Sequence, residues 1–228
     1  AENQEYVFPN LHRSRYFFSP TAIPLKQGEG YYANIWWLYW TAHFGVSDYF
    51  SAGIGTSLFG MTTLAAKSTI PNPKESDFNS AFGWFWVGNP LFEENAFINM
   101  PFYVATFGSE DQNLSFAMGY NLLGINDNLA GNENRLVMNM GGVNRIGRKS
   151  AFIFEIWTFG FDGEQAILGG PGIRWFRKQR KNRFGIGPRN SYAGASVIDF
   201  QILLERNVLD LGDGDFSIIP VIGASTKF

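Results

Sequence analysis

The residues that could do chemistry are few. His12 and His43 are the two imidazoles from which a Ser–His nucleophile pair could be built. His43 stands in an aromatic stretch, where a place in an aromatic girdle or the lumen wall is a better reading than catalysis. Glu155, Asp199 and Glu205 could work as acids or bases, but each lies in an alternating segment where an ion pair is the simpler role. Asp210-Leu211-Gly212-Asp213-Gly214-Asp215 has the oxygen density of a calcium loop without its twelve-residue pattern and closing glutamate, and reads as a turn. Gly169-Gly170-Pro171-Gly172 and Gly53-Ile54-Gly55 carry no phosphate-loop lysine and open no helix. No catalytic residue, metal or cofactor is therefore expected.

The densest charge lies in one loop. Arg174 and then Arg177, Lys178, Arg180, Lys181, Arg183 and Arg189 crowd a short stretch, with Phe184 and Tyr192 interleaved. A solvated loop would look like this. So would a docking site for an acidic partner: another protein, an anionic lipid headgroup or a lipopolysaccharide phosphate.

The elements that must position these groups are strands. Phe216, Ile218, Pro220, Ile222, Ala224, Thr226 and Phe228 alternate with Ser217, Ile219, Val221, Gly223, Ser225 and Lys227. Strand side chains have a period of two, so one face of this segment is apolar and the other small and polar. Leu114, Phe116, Met118, Tyr120 and Leu122 alternate in the same way with Ser115, Ala117, Gly119 and Asn121. Similar segments recur from Gly30 onward, with Gly30–Gly45 taken as one of them. They give about eleven strands after residue 28. Leu11-His12-Arg13-Ser14-Arg15-Tyr16-Phe17-Phe18 supplies a twelfth if the Leu11–Pro20 region is a strand.

Composition fits a wall between lipid and water. The 228 residues are 45% hydrophobic and 17% aromatic, and mean hydropathy is -0.10. No run approaches the roughly 18 apolar residues of a membrane helix. A membrane protein of this kind must be a closed barrel, because lipid leaves backbone groups no other partners. The 23 Phe, 9 Tyr and 7 Trp suit aromatic girdles, and many of the 26 Gly fall within strands, as where a wall curves round a filled lumen. Cysteine is absent, which removes disulfides, thiol catalysis and thiolate metal sites. The start at Ala1 is that expected of an exported chain whose signal has been cleaved. The net charge of -2 does not point to nucleic acid, and none is expected as a partner.

An aromatic at the close of such a last strand resembles bacterial outer-membrane barrels. The resemblance implies that Phe228 belongs to the signal read by the barrel assembly machinery. A closer one lies in Tyr16–Ala22, in Leu25–Asn34 with its Gly30-Tyr31-Tyr32-Ala33-Asn34, and in Gly45-Val46-Ser47-Asp48-Tyr49-Phe50-Ser51-Ala52-Gly53. Gly108–Ser115 and Gly169-Gly170 continue it. These are similar to uncharacterised outer-membrane β-barrel proteins of Bacteroidota. That likeness implies a multi-pass barrel in the cell outer membrane, with the last strand ending on the periplasmic side. Alternation then turns the loops Gly124–Asn134, Asn89–Asn95 and Val208–Asp215 outward. Val46–Asp48, Pro71–Asp77, Gly108–Asn113 and Arg177–Ala195 face the periplasm, although periplasmic turns are normally the short ones.

The expectation is thus an all-β fold: a single closed antiparallel transmembrane β-barrel of about 12 strands (10–12). Residues 1–28 form a first strand or a plug, and 29–228 the barrel. Its lumen would hold Arg135, Asn139, Arg145, Glu155, Arg174, Asp199, Gln201, Glu205 and Lys227. Mixed signs can pair across a narrow lumen and fill it, whereas a ring of one sign would suit an ion-selective pore. The leading reading is a non-enzymatic structural or accessory subunit that meets outer-membrane lipid, lipopolysaccharide and other outer-membrane proteins. Alternatives are a small solute pore, a lipid-modifying enzyme and a soluble lipocalin-like binder.

Overall fold

A computed structural model describes residues 8, 10–72, 77–89, 98–122, 136–161, 164–177, 196–206 and 216–227. Twelve strands form one closed antiparallel barrel. In chain order they are β1 (Gly30–Ile35), β2 (Tyr39–Gly45), β3 (Phe50–Ser57), β4 (Thr62–Thr69), β5 (Phe78–Gly88) and β6 (Ile98–Gly108). Then come β7 (Gln112–Tyr120), β8 (Leu136–Arg145), β9 (Ser150–Phe161), β10 (Glu164–Phe176), β11 (Ser196–Arg206) and β12 (Ser217–Lys227). Each strand pairs with its neighbours in sequence, and β1 closes the ring on β12 in the register Tyr31↔Lys227, Ala33↔Ser225 and Ile35↔Gly223. Closure leaves no strand edge unpaired.

The twelfth strand does not come from Leu11–Pro20. It comes from a break in Gly30–Gly45, where Trp36 (φ 52°) and Trp37 (φ 61°) turn the chain between β1 and β2. Two successive positive φ angles are those of a tight hairpin whose twist matches the strands. The Leu38 amide donates to the Ile35 carbonyl at 3.0 Å, and Asn34 Oδ1 accepts from the Trp37 amide at 3.0 Å. Left-handed geometry costs an ordinary side chain roughly 1–2 kcal/mol per residue. Nothing in Trp-Trp announces such a turn, so the hairpin is invisible in composition.

The alternation has the expected direction. Phe116, Met118 and Tyr120 are 46%, 55% and 51% exposed, whereas Asn113 and Ser115 on the other face are buried. In β12, Ile218 and Ile222 face out while Val221, Ser225 and Lys227 are buried inside. Rings crowd both rims of the outer surface. Trp36, Trp37 and Phe59 lie exposed at one, and Phe44, Tyr49 and Trp175 at the other. A continuous apolar band between aromatic girdles is how such a wall meets hydrocarbon and headgroups. The rim carrying Lys227, Val46–Asp48 and Ser109–Asp111 is here the near rim, and that carrying Trp36–Leu38 the far rim.

Candidate functional site: the occupied lumen

Residues 10–29 lie inside the barrel. Leu11, Tyr16, Phe17, Ala22 and Leu25 are buried, as are His12, Arg13, Arg15 and Ser19. The segment enters at the near rim, where the Asn10 amide side chain donates to the Glu110 carbonyl at 2.7 Å. It rises to a turn at Phe18, closed by a lone bridge between Arg15 and Pro20 and by the Tyr16 amide donating to Ser19 O at 2.8 Å. It then descends to Glu29 and runs into β1. No ladder joins it to the wall, so its polar groups depend on side chains that point inward.

Those side chains come from most of the circumference. On β9, the Glu155 carboxylate accepts from the amides of Phe18 (3.0 Å) and Ser19 (2.9 Å) and from the Ser19 hydroxyl (2.6 Å). Asn139 of β8 donates to Ser19 Oγ at 3.1 Å. On β10 and β11, Arg174 makes a two-pronged pair with Asp199 at 2.8 and 2.9 Å. The same guanidinium donates to the carbonyls of Tyr16 (2.7 Å), His12 (3.3 Å) and Arg15 (3.3 Å). Arg15 approaches Asp199 at 3.6 Å and donates to Ser225 Oγ of β12 at 2.6 Å. Lys67 of β4 donates to the carbonyls of Thr21 (2.5 Å) and Ile23 (3.0 Å). Thr106 of β6 and Thr69 of β4 take the amide and carbonyl of Ala22 at 2.7 and 3.0 Å. The Tyr16 hydroxyl donates to Asn113 Oδ1 at 2.6 Å and lies 2.7 Å from Ser115 Oγ. A buried segment without secondary structure needs this coverage, since an orphaned buried amide or carbonyl costs about 1–3 kcal/mol.

Packing follows the same logic. A Cβ at Gly141 would lie 2.6 Å from the Tyr16 ring, and one at Gly223 3.2 Å from the Phe17 ring. These wall glycines leave room for the two rings. Tyr16 and Phe17 join Val143, Ile153, Val197, Leu203 and Val221 in one buried cluster.

At the near rim the segment is latched by charge. Glu29 lies 3.3 Å from Arg13 and 3.0 Å from Lys227, and Arg13 lies 3.2 Å from Glu110. Burial alone would raise the Glu29 carboxyl, but Lys227 and Arg13 beside it hold it below the usual carboxylate range.

Part of the expected lumen set lies on the inner face, with pairing that differs from the expectation. Asn139, Glu155, Arg174, Asp199, Gln201, Glu205 and Lys227 are all buried. Arg145 lies at the near rim, 3.5 Å from Asp111, stacked over Phe176 and bonded to the Phe8 carbonyl. Charges do not pair across an empty bore. Arg174 and Asp199 are side-by-side partners in the sheet, and Glu155 faces amides of the inserted segment. Gln201 serves the wall itself, donating to Gly170 O at 2.8 Å. Arg135 lies outside the described residues. Of the basic loop, Arg177 is described and exposed, its amide on the Ser196 carbonyl at 2.9 Å. Lys178, Arg180, Lys181, Arg183, Arg189, the Asp210–Asp215 turn and Phe228 also lie outside the described residues.

Sequence reasoning missed Arg13, Arg15, Ser19, Glu29 and Lys67. The available signal was Pro20 and Pro24 within a stretch also rich in Arg, Ser and Thr, which suits no lipid-facing strand. Both histidines are packed against neighbouring side chains. His43 stacks on Tyr31 at 4.8 Å and 15°, its ring packed where a Gly53 side chain would be. His12 Nδ1 is 3.2 Å from Ser225 Oγ, but both residues are buried, His12 within the segment itself, and Arg15 already donates to that hydroxyl.

No family model matches the chain, and neither does any curated protein. Among solved structures it is similar to a KdgM porin, with a TM-score of 0.52 at 7% identity over 88% of this chain and 98% of that one. It is likewise similar to KdgM porin in complex with disordered oligogalacturonate, with a TM-score of 0.51 at 6% identity over the same shares of each chain. At such identities the likeness concerns the fold.

Proposed function

We propose that this chain is an outer-membrane barrel of porin-like architecture whose passage is held shut by its own residues 10–29. The observation that carries the reading is how the segment is held. It contributes no rung to the wall apart from its continuation into β1, and every strand pair closes without it. An obstruction attached by side chains can leave while the cylinder stays. The apolar outer face supports residence in the outer membrane, surrounded by its lipid and lipopolysaccharide.

Single-channel recording in planar bilayers tests it. The full chain is expected to be silent, and the chain lacking residues 1–28 to give sustained ohmic steps. A truncated chain that folds, inserts and stays silent would remove the passage. A second reading, a structural or accessory subunit, is favoured by the depth of burial of Arg174, Asp199 and Glu155, which suits a permanently filled cylinder. It predicts a stoichiometric protein partner on extraction in mild detergent, with neither form of the chain conducting.

A further inference from the structure

We propose that the far half of the lumen is a binding cup for an uncharged, ring-bearing solute. The inference needs the barrel to sit in a membrane but does not need it to conduct. Near the inserted segment the inward side chains are mixed, with Lys67, Thr106, Asn113, Arg174 and Asp199 set among Val104, Val143 and Ile153. Beyond the turn at Phe18 the inward positions become Phe85, Phe102, Val137, Trp157, Phe159 and Leu168, placed there by the registers Phe102↔Gly119, Val137↔Phe159 and Leu168↔Trp157. A water-filled bore has a polar interior. Here the β5–β10 side of the wall is apolar instead.

It is also not sealed against itself. All six residues keep partial exposure, whereas Lys67, Thr106, Arg174 and Asp199 in the near half are buried. The space has a floor as well. Phe18, 43% exposed at the tip of the segment, sets its ring edge-on to Phe17 at 4.7 Å.

The lining selects the ligand class. Trp157 and Phe159 hold their rings 9° from parallel at 6.3 Å, and the tip of the Phe102 ring occupies the place of a Gly83 side chain. Ring faces of this kind take another ring by offset or edge contact at about 4.5–7 Å. Glu205 is an inward carboxylate of this half and is 1% exposed, withdrawn from the space. The lining on β5–β10 therefore covers an apolar ring far better than it would solvate a charged sugar, while the Tyr39 and Thr63 hydroxyls, 2.7 Å apart, face it from β2 and β4.

Benzophenone serves as both ligand surrogate and photolabel on the full chain in lipid nanodiscs, with adducts mapped residue by residue. Val137 points inward and Met138, its neighbour, is 50% exposed on the lipid side. Adducts at Val137 and Leu168 should saturate with probe concentration, while those at Met138 keep rising with the amount dissolved in lipid. Val137→Asp combined with Leu168→Asp should cut the remaining inward labelling, at Trp157 and Phe159, about tenfold or more and leave Met138 unchanged, because a buried carboxylate repels an apolar ring. Adducts confined to outward residues, or inward adducts that never saturate, would overturn the cup. Saturable inward adducts in a protein that stays silent without residues 1–28 would uphold the cup and overturn the passage.

Discussion

Glu155 is the residue whose loss should free the inserted segment most selectively. Its carboxylate accepts from two backbone amides and one hydroxyl of Phe18 and Ser19, and Ser19 is fully buried. Replacing it with alanine leaves both amides without an acceptor in a dry site. A buried amide left without an acceptor costs about 1–3 kcal/mol, so two give about 2–6 kcal/mol. At about 1.4 kcal/mol per tenfold, the open state of the segment should gain about 10–10⁴ in population. Hydrogen exchange read by mass spectrometry measures this directly. Peptides spanning 14–22 should exchange faster by that factor in Glu155→Ala, with Glu155→Gln intermediate because one acceptor survives. Peptides from β7 should not change, since Asn113 and Ser115 keep their sheet partners. Unchanged exchange at Ser19, or equal acceleration throughout the barrel, would refute the idea that this carboxylate holds the segment.

Other perturbations separate the parts. The Glu29 carboxyl is held below its ordinary value in the folded chain, so its contribution is fully present above the unfolded value of about 4.3 and is lost as pH falls through the lower folded one. Protection at residues 26–31, measured against the intrinsic exchange rate at each pH, should therefore fall on acidification below about pH 4.3, and Glu29→Gln should show that lower protection already at pH 7. Gly141→Val places a side chain where the Tyr16 ring lies, 2.6 Å from the first added carbon. It should expel the segment and raise conductance while the barrel still runs as a folded band in unheated electrophoresis. Phe116→Arg puts a charge on the lipid face, where it should cost about 2–4 kcal/mol near the midplane, measured as a lower denaturant midpoint in lipid vesicles.

What could be read in advance follows from which forces leave a periodic trace. The Phe116-Ala117-Met118 alternation announces its strand and its outward face, because lipid on one side imposes a period of two along the chain. Turns built on left-handed backbone are legible when glycine or asparagine marks them. Trp36-Trp37 carries no such mark, so Gly30–Gly45 looks like one strand when it is two. The segment at residues 10–29 is obscured for another reason. Its pattern answers to many separate wall groups, Lys67, Thr106, Glu155 and Arg174 among them, and not to a single face. No local regularity records a fit that depends on side chains far away in the chain. The inward direction of Asn139, Glu155 and Asp199 could be read from parity. Their partners could not.

The bond between Arg15 and Ser225 joins groups 210 positions apart along the polypeptide. Asp199 and Glu155, which also hold this stretch, lie far downstream of it. Residues 10–29 must therefore wait for Glu155, Asp199 and Ser225 before their polar groups are satisfied, and loop-closure entropy makes such distant contacts slow to form. Wrapping, in which the sheet gathers around a stretch of chain already at its centre, spares Arg13 and Arg15 the passage through a finished ring that a cork pushed in afterwards would require.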